Sequence, residues 1–180
     1  MTWEQTLRDR LNERHAPSGS QWVSIKIRAC GGCYDRGCCP VAMRIVDEAI
    51  SKFETANGHA EDFKYERHES GPEFLVCLAV ASSVITLVAN VIQLVTVVIQ
   101  ARSIGRKQGD RHDEPLELVV RGFDRNGKLF DDKVMLIREG ETPTANEVKN
   151  AIDAALRRHL VPRDAASKRK PARKKSKRKA

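Results

Sequence analysis

Hydrophobic and polar positions recur along this chain with periods that divide most of it into short elements. Trp3, Leu7 and Leu11 recur at i, i+4 and i+8 and predict an amphipathic helix over residues 2–14. Ala16 to Ser20 (APSGS) reads as a turn or linker. From Trp22 to Arg28 the pattern alternates, with Val23, Ile25 and Ile27 opposite Ser24, Lys26 and Arg28, as in a half-buried strand. Pro40 suits a first helical turn, where its missing N–H has no intrahelical partner. It opens a predicted helix to about Ala56, with Ala42, Ile45, Ala49, Ile50 and Phe53 inward. Asp62 to His68 is a second, weaker strand. Leu116 to Gly122 and Lys133 to Arg138 are two more, with Asp124-Arg-Asn-Gly127 supplying a hairpin turn between them. Thr142-Pro143 or Thr144-x-x-Glu147 caps a last helix, whose apolar face is Val148, Ile152, Ala155, Leu156 and Leu160.

The longest feature lies between these. No charged residue occurs from Phe74 to Gln100. Ser70-Gly-Pro-Glu73 has the spacing of a helix start, so the run is read as one helix over residues 72–103. At helical rise it is about 40 Å long, enough to cross a bilayer core of about 30 Å. On a helical wheel Ser82, Ser83, Thr86, Asn90, Gln93, Thr96 and Gln100 share an arc of about 140°. Val80, Val84, Leu87, Val88, Val91, Val95 and Val98 fill the other side. Two readings stand. In the first, the small and amide side chains of the arc meet a protein partner or a second copy of the chain. In the second, the helix is a single membrane span, with basic Arg102, Arg106, Lys107 and Arg111 on the cytoplasmic side.

The expected fold class is α+β: a small mixed or antiparallel sheet packed on a long apolar central helix, in the order α-β-α-β-α-β-β-α. The expected domains are an N-terminal helix and linker (1–20), an α+β domain (21–162) containing the long helix 72–103, and a disordered basic tail (163–180).

Charge is placed unevenly. The chain carries +8, but residues 163–180 hold ten Lys/Arg against one Asp, which leaves residues 1–162 at −1. The charge of the body therefore gives no reason to read it as a nucleic-acid-binding surface. The tail offers Lys168, Arg169, Lys170, Arg173, Lys174, Lys175, Lys177, Arg178 and Lys179 to nucleic acid or anionic lipid. It has no aromatic residue on which bases could stack. The first residues lack an apolar signal core, so the expected location is cytoplasmic, or the inner membrane with the C-terminus inside if the helix spans.

Four of the five cysteines crowd into one loop: Cys30, Cys33, Cys38 and Cys39. Cys-x2-Cys is a common zinc half-site, and thiols ahead of a helix gain reactivity from its N-terminus. The adjacent pair Cys38-Cys39 fits one ion poorly. The loop is thus a candidate zinc or redox site, or a Gly-rich connection with no shared chemistry. Cys77 reads as core filler. No phosphate-binding, nucleophile-elbow or H-E-x-x-H motif occurs, and the five histidines are scattered. No catalytic residue is assigned.

From Tyr65 to Ile137, the strand, the Gly71-Pro72-Glu73 turn, the long apolar helix ending at Arg102 and Arg106, and the strand Leu118 to Val120 with its Asn126-Gly127 hairpin form a further pattern. It resembles the effector-associated constant component proteins of bacterial conflict systems. The resemblance implies a non-catalytic adaptor that accompanies an effector. The expected function is therefore a non-enzymatic interaction protein, with a membrane protein or a cysteine-dependent metal or redox protein as the alternatives.

Overall fold

The computed structural model describes residues 2–14, 16, 18–57, 62–79, 84–110 and 114–160. The chain order is α1 (Trp3–Asn12), β1 (Ser20–Ala29), α2 (Pro40–Asn57), β2 (Phe63–His68), β3 (Gly71–Ala79), α3 (Val84–Lys107), β4 (Leu116–Phe123), β5 (Leu129–Ile137) and α4 (Ala145–Leu160). The fold is α+β. One antiparallel sheet, ordered β2-β3-β1-β4-β5, carries α2, α3 and α4 on one face and α1 on the other.

The run from Phe74 to Gln100 is not a single helix. Its first residues, Phe74 to Ala79, belong to β3, a strand flanked on both edges: Val76 pairs with Phe63 of β2 and with Val23 of β1. Alternate side chains enter different cores. Phe74, Val76 and Leu78 join the large core under α2, α3 and α4. Leu75 and Cys77 join a smaller one with Leu7 and Leu11 of α1 and Trp22 of β1. A strand covered on both faces shows no polar alternation, so its apolar run looks like that of a buried helix. The element order gains a strand and becomes α-β-α-β-β-α-β-β-α. Among the described residues no helix is long and apolar enough to cross a membrane.

Ser70-Gly-Pro-Glu73, read as a helix start, is instead the end of a hairpin and the first residues of β3, with His68 paired to Gly71. The turn carbonyls are used by neighbours: Ser70 O accepts from Ala29 N at 3.0 Å, and Glu69 O accepts from Tyr34 N at 2.9 Å.

The start of α2 is held from a distance. The Asp110 carboxylate accepts the Val41 N–H at 3.0 Å and the Ala42 N–H at 2.8 Å, two donors that the helix itself cannot satisfy. A Cβ on Gly105 would stand 2.1 Å from Asp110 Oδ2 and 3.0 Å from Ala42 N, so glycine there lets α3 approach the end of α2. Asp110→Ala is expected to cost about 1–2 kcal/mol, like the loss of a local N-cap. The effect would appear as a lower urea midpoint at unchanged slope.

Candidate functional site

α3 lies beside both α2 and α4 on the large core, with Val91, Val95 and Val98 buried. Its outward side is the stripe Ala89, Gln93, Val97, Gln100 and Ile104, within an arc of about 80° at helical spacing. Of the predicted contact arc, Gln93 and Gln100 are exposed and Asn90 is partly so. Thr96 departs from the expectation: it is buried, and its hydroxyl donates to the Ile92 carbonyl one turn back, at 2.7 Å. Ser82, Ser83 and the side chain of Thr86 lie outside the described residues, as does the whole basic run Lys168 to Lys179.

The stripe carries no charge until Lys107. The nearer cations turn away from it. Arg102 is buried, with its guanidinium 5.8 Å from the Tyr34 ring centroid, and Arg106 is ion-paired with Glu139. The neighbouring helices present ordinary charged surfaces: Arg44, Glu48 and Lys52 on α2, and Glu147, Arg157 and Arg158 on α4. Between the end of α3 and strands β4 and β5 lies a cleft of about 310 Å³. Arg102, Arg106, Lys107 and Arg138 stand with Glu114, Glu139 and Glu141 in its lining, so the charges nearly cancel and leave a formal +1.

The cysteine loop divides its thiols. Cys33 and Cys38 form a disulfide, with Cα atoms 6.2 Å apart. Asp35 sits between them, its Oδ1 3.1 Å from Cys33 Sγ and 3.5 Å from Cys38 Sγ. These three residues are the group among the described residues whose donor atoms could hold a metal ion. Cys30 and Cys39, placed with them by sequence, do not join the group. Cys39 is buried against the large core. Burial, and then the nearby Asp110 carboxylate, push its thiol up to about 11. Burial and then Glu117 also raise Cys30. Their sulfurs are not part of the close donor group that Cys33, Asp35 and Cys38 form. Cys77, read as core filler, is buried in the small core.

A third constellation escaped sequence reasoning. Glu73 is 1% exposed on the face that α1 covers. Its carboxylate meets the Ser24 hydroxyl, His68 Nε2 at 2.8 Å, Arg10 of α1 at 3.3 Å and Lys26 at 4.0 Å. Arg10 also bonds Glu66, which Arg14 and Lys64 approach at 3.5 and 2.7 Å. Burial alone would push the Glu73 carboxyl up. The His68 and Ser24 hydrogen bonds and the charges of Arg10 and Lys26 outweigh it and bring the group down to about 2. A carboxylate held so firmly ionised is a weak general base at neutral pH. The arrangement acts instead as a latch from α1 to the sheet. The sequence signal available for it was the polar Ser24 and basic Lys26 and Arg28 on one side of β1, opposite its apolar alternation.

Compared with known proteins, the chain matches no family model, no curated protein and no solved structure.

Proposed function

We propose that the chain is a non-enzymatic interaction protein whose α3 stripe associates with the same stripe of a second copy. The observation that carries this reading is the uncharged outward surface of α3, set between two helices whose outward surfaces are charged. A solvated helix face ordinarily carries Lys and Glu. Here Gln93 and Gln100 flank Val97, and Ile104 is 40% exposed. Amide side chains both donate and accept, so two copies of such a stripe can satisfy each other without a charge match. An adaptor role of the effector-associated kind agrees with this reading, the copy–copy contact being the assembly step.

The test is the solution mass of the full chain by light scattering across a concentration series. The wild type is expected to be a dimer or larger. Val97→Glu places a charge at the centre of the stripe and leaves the buried face untouched. It is expected to weaken association by 10-fold or more, the few kcal/mol of a desolvated like-charge pair. A wild type that stays monomeric throughout, or a Val97→Glu chain that associates as before, would remove this reading.

A further inference from the structure

We propose that Cys33, Asp35 and Cys38 form a redox-gated site for a zinc-like divalent cation, closed as the disulfide and open as the dithiol. The inference is independent of the α3 stripe.

The donor geometry is close to that of a bound ion. In a tetrahedral zinc site, Zn–S near 2.3 Å and Zn–O near 2.0 Å place sulfur and oxygen about 3.5 Å apart and the two sulfurs about 3.8 Å apart. Asp35 Oδ1 already lies 3.1 and 3.5 Å from the two sulfurs. Only the sulfur–sulfur separation must grow, and breaking the bond between them permits that. Gly37 N–H donates to Asp35 Oδ1 at 2.7 Å, the kind of outer contact that orients a metal ligand. Cys33, Asp35 and Cys38 are all partly exposed, so reductant and ion can both reach them. Three protein donors leave the fourth position to solvent.

The loop does not depend on the disulfide for its course. Tyr34, between the first cysteine and the aspartate, is fully buried, and its hydroxyl donates to the Val98 carbonyl of α3 at 2.7 Å. Cys30 N–H donates to Pro115 O at 2.9 Å, and Cys39 N–H to Asp35 O at 2.8 Å. Both ends of the loop and its middle are therefore held by other bonds, and the donors stay together once the sulfurs part.

The chemistry balances with a small dithiol as reductant. The S–S bond breaks, two electrons and two protons arrive on Cys33 Sγ and Cys38 Sγ, and the dithiol leaves as its own disulfide. Binding of M²⁺ then forms two metal–sulfur bonds and releases the two thiol protons to solvent.

Cobalt(II) is the probe, added without oxygen to the full chain after reduction and removal of the dithiol. The reduced protein is expected to take up one equivalent, with tetrahedral d–d bands and a thiolate-to-cobalt charge-transfer band. The oxidised protein should show neither. Asp35→Asn keeps an acceptor for Gly37 N–H and should weaken cobalt binding about 10-fold or more. Cys30→Ser should leave it unchanged. The site is overturned by a reduced chain without these bands, by an Asp35→Asn chain that binds within about twofold of wild type, or by Cys30→Ser abolishing the bands. Circular dichroism of each variant confirms that the fold is retained.

Discussion

Replacing Glu73 with alanine is expected to lower the unfolding free energy by about 3–5 kcal/mol, the range found when one partner of a buried charge cluster is removed. The carboxylate is surrounded by Ser24, His68, Arg10 and Lys26 and is all but sealed from solvent. Alanine would leave the Ser24 hydroxyl, itself fully buried, without that acceptor. It would also leave Arg10 and Lys26 facing each other across the gap. Because Arg10 belongs to α1, the first consequence should be loosening of that helix from Trp22, Leu75 and Cys77. Amide hydrogen exchange would report it as lost protection across residues 3–12. A loss below about 1 kcal/mol would mean that the cluster stabilises no more than a surface ion pair.

The same group sets an acid limit. Its carboxyl falls from an ordinary 4.5 to about 2 in the folded protein. In that interval the unfolded chain binds the proton and the folded chain does not, so stability rises with pH there. The contribution is fully present above about 4.5 and is lost as pH falls through about 2. It amounts to about 3 kcal/mol at 1.36 kcal/mol per pKa unit. Glu66 is lowered in the same direction, its burial outweighed by Lys64 and Arg10. The contribution of Glu73 itself is therefore read from the stability gap between wild type and Glu73→Gln, which should narrow on acidification across this window. A gap that stays constant would show that Glu73 does not titrate far below its ordinary value.

Local signals with their own geometry were legible in the sequence. The Thr144-x-x-Glu147 box closes in both directions: Glu147 Oε2 accepts the Thr144 N–H at 2.7 Å, and Thr144 Oγ1 accepts the Glu147 N–H at 3.3 Å. The Asp124-Arg-Asn-Gly127 turn has Gly127 at φ 72° and Asp124 Oδ1 accepting from the Asn126 N–H. The Trp22 to Arg28 alternation is β1, and the Leu7 and Leu11 face of α1 is buried. What misled was a region where two physical causes give one pattern. A run of apolar residues without charge signals extensive burial, and a strand between two layers satisfies that as well as a helix does. Phe74 and Leu75 enter different cores, and the second core exists because α1, some 60 residues earlier in the chain, covers the sheet. No local window contains that information. Glu73 was hidden for the same reason: a carboxylate after Gly-Pro is a common helix opening, and its partners come from α1, β1 and the end of β2.

Gly71→Ala separates the two readings of that segment by sign. In the first turn of a helix, the change would stabilise the chain by up to about 1 kcal/mol. In the hairpin it should destabilise by about 3 kcal/mol or more, from two causes that act together. Gly71 has φ 135°, a region that L side chains rarely enter. A Cβ there would also stand 2.1 Å from the Ile27 carbonyl oxygen, which is backbone of β1 and cannot rotate aside. Relief would require β3 to move off β1, against the register that pairs Lys26 with Glu73 and Ile25 with Phe74. Gly127→Ala isolates the backbone cause, since its φ is 72° but a Cβ there meets nothing within 4 Å. That variant should lose only about 1 kcal/mol, the cost of a left-handed residue without a clash. Urea unfolding of both variants, read as midpoint shifts at equal slope, decides the matter. A Gly71→Ala midpoint at or above the wild type would restore the helix reading and dissolve β3. A midpoint well below that of Gly127→Ala places Gly71 against Ile27, and with it the strand that splits the long apolar run.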